Sequence, residues 1–234
     1  MEHFSQLPLF DGLQEGECLR MLECFRTSPR TFQAGETAYT YGTGDGKTVG
    51  ILQEGRAALV KIDASGSRTV LERLEKGGVF GELIAFSSLP CDNVSVVCES
   101  KCVMVFLPQS RLTSPCAKSC ACHHQLLENL LGLISRKAFD LSERVEVLSC
   151  RTTREKLLCY FRICAGQTRS LSFTLPFSLS ALADYICADR SAMMREIKRL
   201  REEGYLEISG RNVRFLANKP FGQADLCAAS LVKS

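Results

Sequence analysis

The chain has 234 residues, 45% of them hydrophobic and 24% charged, which is the composition of a folded globular protein and excludes extended disorder. No run of 18 apolar residues occurs, and the N-terminal stretch MEHFSQLPLFDGLQEGE lacks the basic and apolar regions of a signal peptide, so we expect neither a membrane span nor export. In the cytoplasmic protein that this predicts, most of the 13 cysteines are reduced core residues rather than a disulfide framework.

Positive charge is concentrated in the C-terminal third of the chain. Residues 1–149 contain 15 Lys and Arg against 18 Asp and Glu, whereas residues 150–220 contain 13 against 7. The formal net charge of +3 for the whole chain hides this asymmetry. A basic segment beside an acidic remainder indicates that one part of the protein meets a polyanion.

Short apolar runs separated by glycine-rich turns fill the chain from Phe32 to Leu107. In AALVKIDASGSRTVLERL, the segment DASGS supplies turn residues between two strand-like runs, which predicts a hairpin. Several short strands at this spacing favour a β-sandwich or a β-barrel.

The hydrophobic period changes at about His123, where apolar residues begin to recur at alternating spacings of four and three. Such a seam, sustained over more than three heptads, is typical of a helix that pairs in parallel with a second copy of itself. A long helix packed only within its own chain is the alternative. Leu126, Leu130 and Leu133 add a second apolar edge. The predicted dimer interface comprises Leu127, Leu131, Ile134, Ala138, Leu141, Val145 and Leu148.

A third unit begins at Arg151. Thr152 and Glu155 have the spacing of a capping box, which predicts a helix through EKLLCYFRICAG that ends at Gly166. The run SLSFTLP then alternates like a strand, and Ser178 is placed to cap a helix through LSALADYI.

The stretch ADRSAMMREIKRLREEGYL predicts a second, basic helix after a tight turn, and two such helices form a helix-turn-helix. Asp189 caps this helix, and Met193, Ile197 and Leu200 form a stripe that faces the core. The N-terminal residues of such a helix reach base edges in a major groove, where an arginine fork donates two hydrogen bonds to guanine. The predicted base-reading residues are Arg190, Ser191 and Arg195.

The run YLEISGRNVRFL predicts a β-hairpin that turns at Gly210 and makes the unit a winged helix. Ser178, Lys198 and Arg211 complete the predicted DNA contacts, with Lys198 and Arg211 against phosphate. A solvated basic face that binds nothing is the alternative.

Together these features resemble the Crp/Fnr family of bacterial transcription regulators over nearly the whole chain. The stretches that carry the resemblance are FQAGE at 32–36, ILQEGRAALVK at 51–61, KGGVFGEL at 76–83 and the two-helix segment LSALADYICADRSAMMREIKRLREEGYL.

The resemblance implies an α+β fold in four segments. They are a double-stranded β-helix (jelly roll) sensor domain at 1–122, a dimerisation helix at 123–149, a winged helix-turn-helix at 150–220 and a C-terminal tail at 221–234. It further implies a homodimer that binds a pseudo-palindromic operator in double-stranded DNA, with RNA polymerase as another partner. No P-loop, dinucleotide fingerprint or Ser/His/Asp set occurs, so an enzyme is not expected.

The effector is expected to be a small molecule other than cyclic AMP. The stretch GEL at 81–83 matches the start of the family's phosphate-binding cassette, although a turn required only by the roll explains it equally well. Asp92 and Asn93 stand where the resemblance requires an arginine–serine pair, and a carboxylate there repels a phosphate anion. A looser alignment with the same family adds Phe139 on the long helix. The candidate effector-binding residues are Gly81, Glu82, Leu83, Asp92, Asn93 and Phe139.

A dense group of thiols and imidazoles, SPCAKSCACHHQ, precedes the long helix. Such residues hold zinc or an iron–sulfur cluster, or form a redox-switched disulfide, whereas a loop with buried cysteines explains them without a ligand. Their spacing matches no metal motif. The metal candidates are Cys116, Cys120, Cys122 and His123, with His124 beside them.

Two alternative functions therefore stay open beside the small-molecule-controlled regulator. One is a regulator that senses metal or redox state through its cysteines. The other is a cyclic-nucleotide-type binding module that acts on a partner protein and has no use for the basic helix.

Overall fold

The computed structural model describes residues 4–42, 47–63, 68–87, 93–114 and 121–216. The chain forms two compact units, Met1–Arg136 and Lys137–Ser234, so the boundary between them falls inside the long helix. The finer division into four segments remains a prediction, and its last segment, 221–234, lies outside the described residues.

The first unit is built around two antiparallel sheets. The described strands are β1 (Arg30–Phe32), β2 (Thr37–Tyr41), β3 (Thr48–Glu54), β4 (Ala57–Ile62), β5 (Arg68–Leu74), β6 (Val79–Phe80), β7 (Val94–Cys98) and β8 (Cys102–Pro108). One sheet has the order β1-β8-β3-β6 and the other the order β2-β7-β4-β5. The predicted hairpin is confirmed, because β4 and β5 pair antiparallel with Val60 opposite Val70.

Every strand turns alternate residues inward, toward the core between the sheets. Many of these inward residues are aromatic. Phe106 contacts Phe32, Tyr39 and Phe80, with ring centroids 6.1, 5.6 and 6.0 Å away. Gly50 of β3 faces the Phe80 ring so closely that a Cβ at this position would lie 2.1 Å from it. A glycine is therefore required here for the two strands to approach each other.

A second core forms on the outer side of the sheet that contains β3 and β8. Helices α1 (Glu15–Phe25), α2 (Glu82–Ala85) and α3 (Gln109–Thr113) belong to the first unit, and α4 (Ala121–Ser149) begins in it. Leu126 and Leu130 of α4 are buried against Val105, Leu107 and the N-terminal segment. The second apolar edge of the long helix is thus covered within its own chain.

The second unit contains the C-terminal half of α4 and a small mixed domain. Its other described elements are α5 (Thr153–Thr168), β9 (Ser172–Thr174), α6 (Leu179–Tyr185), α7 (Arg190–Glu202), β10 (Leu206–Ser209) and β11 (Asn212–Phe215). The strands form one antiparallel sheet in the order β10-β11-β9. Helix α5 extends two residues beyond Gly166, where the sequence predicts its end.

Local signals in the sequence set the ends of these elements. The predicted capping box is confirmed: the Thr152 hydroxyl accepts from the Glu155 N–H at 3.1 Å, and the Glu155 carboxylate accepts from the Thr152 N–H at 3.0 Å. The β10–β11 hairpin turns at Gly210, whose φ of +58° is the left-handed conformation that glycine tolerates best. None of the helices in the described ranges is long and apolar enough to cross a membrane.

Gly50→Ala should lower the free energy of unfolding by about 1–3 kcal/mol, because the added methyl group overpacks a filled core against Phe80. Gly132→Ala is the matched control. Gly132 lies in α4 with nothing within 4 Å of its Cβ position, so the same change there should be neutral or stabilise by up to about 1 kcal/mol. Urea denaturation measures both effects, and equal stabilities for the two variants would contradict this account of the core.

Candidate nucleic-acid interface

Helices α6 and α7 are joined by a tight turn with a defined backbone path. The Ser178 hydroxyl accepts from the Ala181 N–H at 3.3 Å and caps α6, as predicted. Cys187 adopts a left-handed conformation with φ of +50°, and the Ala188 N–H donates to the Ala183 carbonyl oxygen at 3.0 Å. This turn ends α6 and sets the direction in which α7 begins.

Helix α7 has one buried face and one exposed face. The predicted core stripe is confirmed: Met193, Ile197 and Leu200 are buried in the core of the second unit, with the side chains of α5 and α6. The opposite face is exposed to solvent along the whole helix. It carries Arg190, Ser191, Arg195 and Lys198.

The first turn of α7 is organised by Asp189. Its carboxylate accepts from the Ala192 N–H at 2.8 Å, which confirms the predicted N-cap, and also from the Ser191 hydroxyl at 2.5 Å. The Ser191 hydroxyl is the main cause of a pKa of Asp189 below its ordinary value, and the Ala192 N–H adds to it. The hydroxyl hydrogen of Ser191 is therefore committed to Asp189, so Ser191 offers acceptor lone pairs to a ligand. The sequence spacing alone did not reveal this bond.

The positive charges on the exposed face of α7 are only partly offset by acidic residues, among them Asp189 near Arg195. No described carboxylate forms a salt bridge with Arg190 or Arg195, while Lys198 makes only an exposed contact of 3.7 Å with Glu202. Exposed pairs of this kind contribute little. The exposed face of α7 therefore carries net positive charge at its N-terminal end.

A separate ion-pair network holds acidic residues of the same segment. Arg154 of α5 contacts Glu196 at 3.0 Å and Glu203 at 2.5 Å. The hydrogen bond with Glu203, followed by that with Glu196, raises the pKa of Arg154. The Arg154 guanidinium also lies 5.1 Å from the centre of the Tyr205 ring. Arg154 thereby offsets the negative charges of Glu196 in α7 and of Glu203 directly after it. The sequence did not predict this role.

The hairpin after α7 presents polar side chains around its tip. Arg211 donates to the Pro176 carbonyl oxygen at 3.4 Å, and Thr174 donates to the side-chain oxygen of Asn212 at 2.8 Å. The sheet and the end of α7 line a groove of about 600 Å³, which includes Arg201 and Arg214.

Three of the candidate effector residues, Gly81, Glu82 and Leu83, directly follow β6 in the first unit. Gly81 has φ of +77°, and a Cβ there would lie 1.7 Å from the Tyr41 hydroxyl oxygen, so Tyr41 occupies the space beside the cassette. Glu82 is buried, whereas Leu83 is 60% exposed. The remaining candidates are Asn93, with φ of +66°, Phe139, which is exposed on α4, and Asp92, which lies outside the described residues.

The metal candidates are only partly within the described residues. Cys116 and Cys120 lie outside them, Cys122 donates to the Glu17 carboxylate at 3.4 Å, and the buried His123 ring lies 2.9 Å from the Leu112 carbonyl oxygen. His124 is exposed and pairs with Glu128. Across the ranges that the structure covers, no group of three or more His, Cys, Asp or Glu residues is placed to hold a metal ion.

The structure also brings the N-terminal helix to this cysteine group, which the sequence did not predict. Burial of Cys18 in α1 raises the pKa of its thiol to about 11, and the nearby Glu15, Glu17 and Cys122 add to the effect. Cys18 therefore stays a protonated thiol at neutral pH and behaves as a core residue.

The predicted seam of α4 is largely uncovered in the single chain. Leu131, Leu141 and Val145 are 63%, 61% and 57% exposed, and Ala138 between them is exposed as well. The other members of the seam, Leu127, Ile134 and Leu148, are half-buried.

Comparison with known proteins agrees with this architecture. Residues 29–119 match the family model of the cyclic nucleotide-binding domain. The c-di-GMP responsive global regulator CLP of Xanthomonas campestris is 17% identical, with 88% of this chain and 100% of that chain covered and a TM-score of 0.53. CprK in complex with OCPA is 15% identical, with 84% of this chain and 90% of that chain covered and a TM-score of 0.58. No curated protein sequence matches the chain.

These proteins are regulators of the Crp/Fnr family, so the resemblance predicted from the sequence is confirmed. At such low identity the likeness establishes the fold: an α+β chain with a cyclic-nucleotide-binding β-roll domain followed by C-terminal helices. The relatives are regulatory proteins and not enzymes.

Ser191→Ala should raise the pKa of Asp189, because the Ser191 hydroxyl is the largest cause of its lowered value. A carboxyl group whose pKa is lower in the folded than in the unfolded protein stabilises the fold at pH values above its unfolded pKa. This stabilisation is lost as the pH falls through the folded pKa. NMR titration of the Asp189 carboxyl carbon measures the change. Ser178→Ala, which removes a cap from α6 instead, should leave the Asp189 midpoint in place, and an equal shift in both variants would contradict the assignment.

Proposed function

We propose that the chain is a DNA-binding transcription regulator whose C-terminal unit is a winged helix-turn-helix. The observation that carries the proposal is the exposed face of α7, on which Arg190 and Arg195 form no salt bridge with a described carboxylate, although Asp189 attracts Arg195 electrostatically. The buried stripe on the opposite side of α7 fixes which residues point outward. A helix held in this way can enter a major groove with its N-terminal turn leading.

The residues of this face divide by the chemistry of their contacts. Arg190 and Arg195 carry planar forks that read guanine edges, whereas Lys198 and the wing residue Arg211 bind phosphate. Ser178 at the start of α6 also faces the backbone of the DNA. Ser191, whose hydrogen is held by Asp189, accepts hydrogen bonds and therefore suits the amino group of adenine or cytosine.

The regulator acts as a homodimer through α4. The exposed apolar positions Leu131, Ala138, Leu141 and Val145 lie on one stripe that extends about 21 Å at the rise of 1.5 Å per residue. Apolar stripes of this length on a helix mark an interaction surface. A parallel pair of such helices presents two recognition helices to the two half-sites of a pseudo-palindrome, about 34 Å apart. RNA polymerase is a further partner of the DNA-bound dimer.

The signal that controls the regulator is a small molecule other than a cyclic nucleotide. Asp92 and Asn93 stand where the resemblance requires an arginine–serine pair, and a carboxylate there repels a cyclic phosphate. Tyr41 also packs against Gly81 at the start of the cassette. For this molecule to control DNA binding, it must bind the DNA-binding conformation of the protein more tightly than the conformation that does not bind DNA.

Arg195→Ala should weaken binding to the cognate operator by about 1–3 kcal/mol and relax the base preference at one position. Lys198→Ala is the control, because loss of a phosphate contact weakens all sequences alike and reduces the salt slope by about one. Gel shifts at two salt concentrations separate the two effects. A uniform loss across sequences for Arg195→Ala would show that this arginine meets phosphate and not a base.

Leu141→Asp should dissociate the dimer, since it places a charge in the centre of the apolar stripe. Leu19→Asp is the matched control, because Leu19 is 46% exposed on α1 and lies outside the stripe. Analytical ultracentrifugation reads both variants. A dimeric Leu141→Asp protein would exclude the α4 seam as the interface.

A further inference from the structure

Two cysteines flank the elbow between α4 and α5, apart from the cysteine group that precedes α4. Cys150 follows α4 directly, and Cys159 lies in the second turn of α5. Both side chains are partly exposed, so a small oxidant reaches them from solvent. The elbow lies wholly within the second unit.

The two thiols converge on a single residue of α4. Cys150 donates to the Glu146 backbone carbonyl oxygen at 3.7 Å, and Cys159 donates to the Glu146 carboxylate at 3.7 Å. The neighbouring Cys150 thiol is also one of the causes that raise the pKa of Cys159. Two thiols that contact the same residue from either side of the elbow are the candidate partners for a disulfide.

We propose that Cys150 and Cys159 form a redox modification site, which hydrogen peroxide converts to a disulfide that fixes the elbow between α4 and α5. The other described cysteines are free thiols, and a disulfide formed beside such thiols is a reversible, sensing modification.

The oxidation proceeds in two balanced steps. The Glu146 carboxylate holds the hydrogen of the Cys159 thiol, and burial raises the pKa of this thiol, so we assign the first attack on peroxide to Cys150. The Cys150 sulfur attacks one peroxide oxygen, the O–O bond breaks, and the hydroxide released leaves as water with the Cys150 proton. The sulfur of Cys159 then attacks the sulfenic acid, an S–S bond forms, and hydroxide leaves as a second water.

Glu146 is placed to assist the second step. Its carboxylate already accepts the hydrogen of the Cys159 thiol, so the proton passes to this oxygen as the S–S bond forms and from there to the departing hydroxide. Two thiols lose two electrons, and one peroxide is reduced to two waters.

A second pair of cysteines provides a control within the same chain. Cys102 is likewise one of the causes that raise the pKa of Cys98, but both residues are buried in the core between the two sheets. Cys102 donates to the carbonyl oxygens of Arg56 and Ser100 at 3.1 and 3.3 Å. This pair is inaccessible to solvent and should stay reduced under the same treatment.

Peptide mapping of the full-length protein tests the proposal. The protein is purified anaerobically, treated with hydrogen peroxide, alkylated and digested with trypsin without reduction. We expect peptide 145–151 (VEVLSCR) joined to peptide 157–162 (LLCYFR), lighter than their sum by two hydrogens and separated again by dithiothreitol. Peptides 77–101 and 102–111, which hold the buried pair, should stay unlinked.

Three results would overturn the proposal. The first is sulfinic or sulfonic acid at Cys150 beside a free Cys159 thiol. The second is a bond from Cys150 to any other cysteine, including Cys150 of a second copy, which a mixture of ¹⁵N-labelled and unlabelled protein detects. The third is oxidation of the buried pair at the same rate. Cys159→Ser keeps a polar group at the site and should abolish the linked peptide.

The effect of this disulfide on gene regulation rests on the proposed function. A measurement of operator affinity distinguishes failure of the disulfide proposal from failure of the proposed function. Oxidation should change operator affinity in the wild type and leave that of Cys159→Ser unchanged. A mapped disulfide without this change would remove the regulatory role and keep the modification site. Absence of DNA binding by the reduced protein would instead overturn the proposed function.

Discussion

Burial of one stripe of α7 is the constraint on which the C-terminal unit depends. Met193, Ile197 and Leu200 are almost completely removed from solvent in a core shared with α5 and α6. Each fully buried side chain of this size contributes about 1.5–3 kcal/mol, which outweighs what exposed polar residues on the same helix contribute. The stripe therefore decides the rotation of α7 about its axis, and with it the direction of Arg190 and Arg195.

Electrostatics then refines what packing has set. Seven acidic residues lie in the basic segment 150–220, and two of them, Glu196 and Glu203, would reduce the positive potential near α7 if they stood free. Arg154 pairs with both from the neighbouring helix α5. The arginines at the N-terminal end of α7 consequently keep their charge available for an anionic partner.

Close packing fixes the turn that follows β6 in the β-roll. Gly81 adopts a left-handed conformation there, with φ of +77°, which glycine tolerates best. The Tyr41 hydroxyl packs against that glycine, and the partly buried rings of Tyr39 and Phe106 pack against the core between the sheets.

The sequence by itself determined the features that arise from local periodicity and end signals: the capping box at Thr152, the caps at Ser178 and Asp189, the β4–β5 hairpin and the buried stripe of α7. It could not decide that the thiols of Cys150 and Cys159 both contact Glu146, because only the elbow between α4 and α5 brings α5 to this residue. The tertiary structure also decided that Leu126 and Leu130 are covered by the chain itself while Leu141 is left open. Both edges of α4 are equally apolar in sequence, and only the position of the β-roll beside its start distinguishes them.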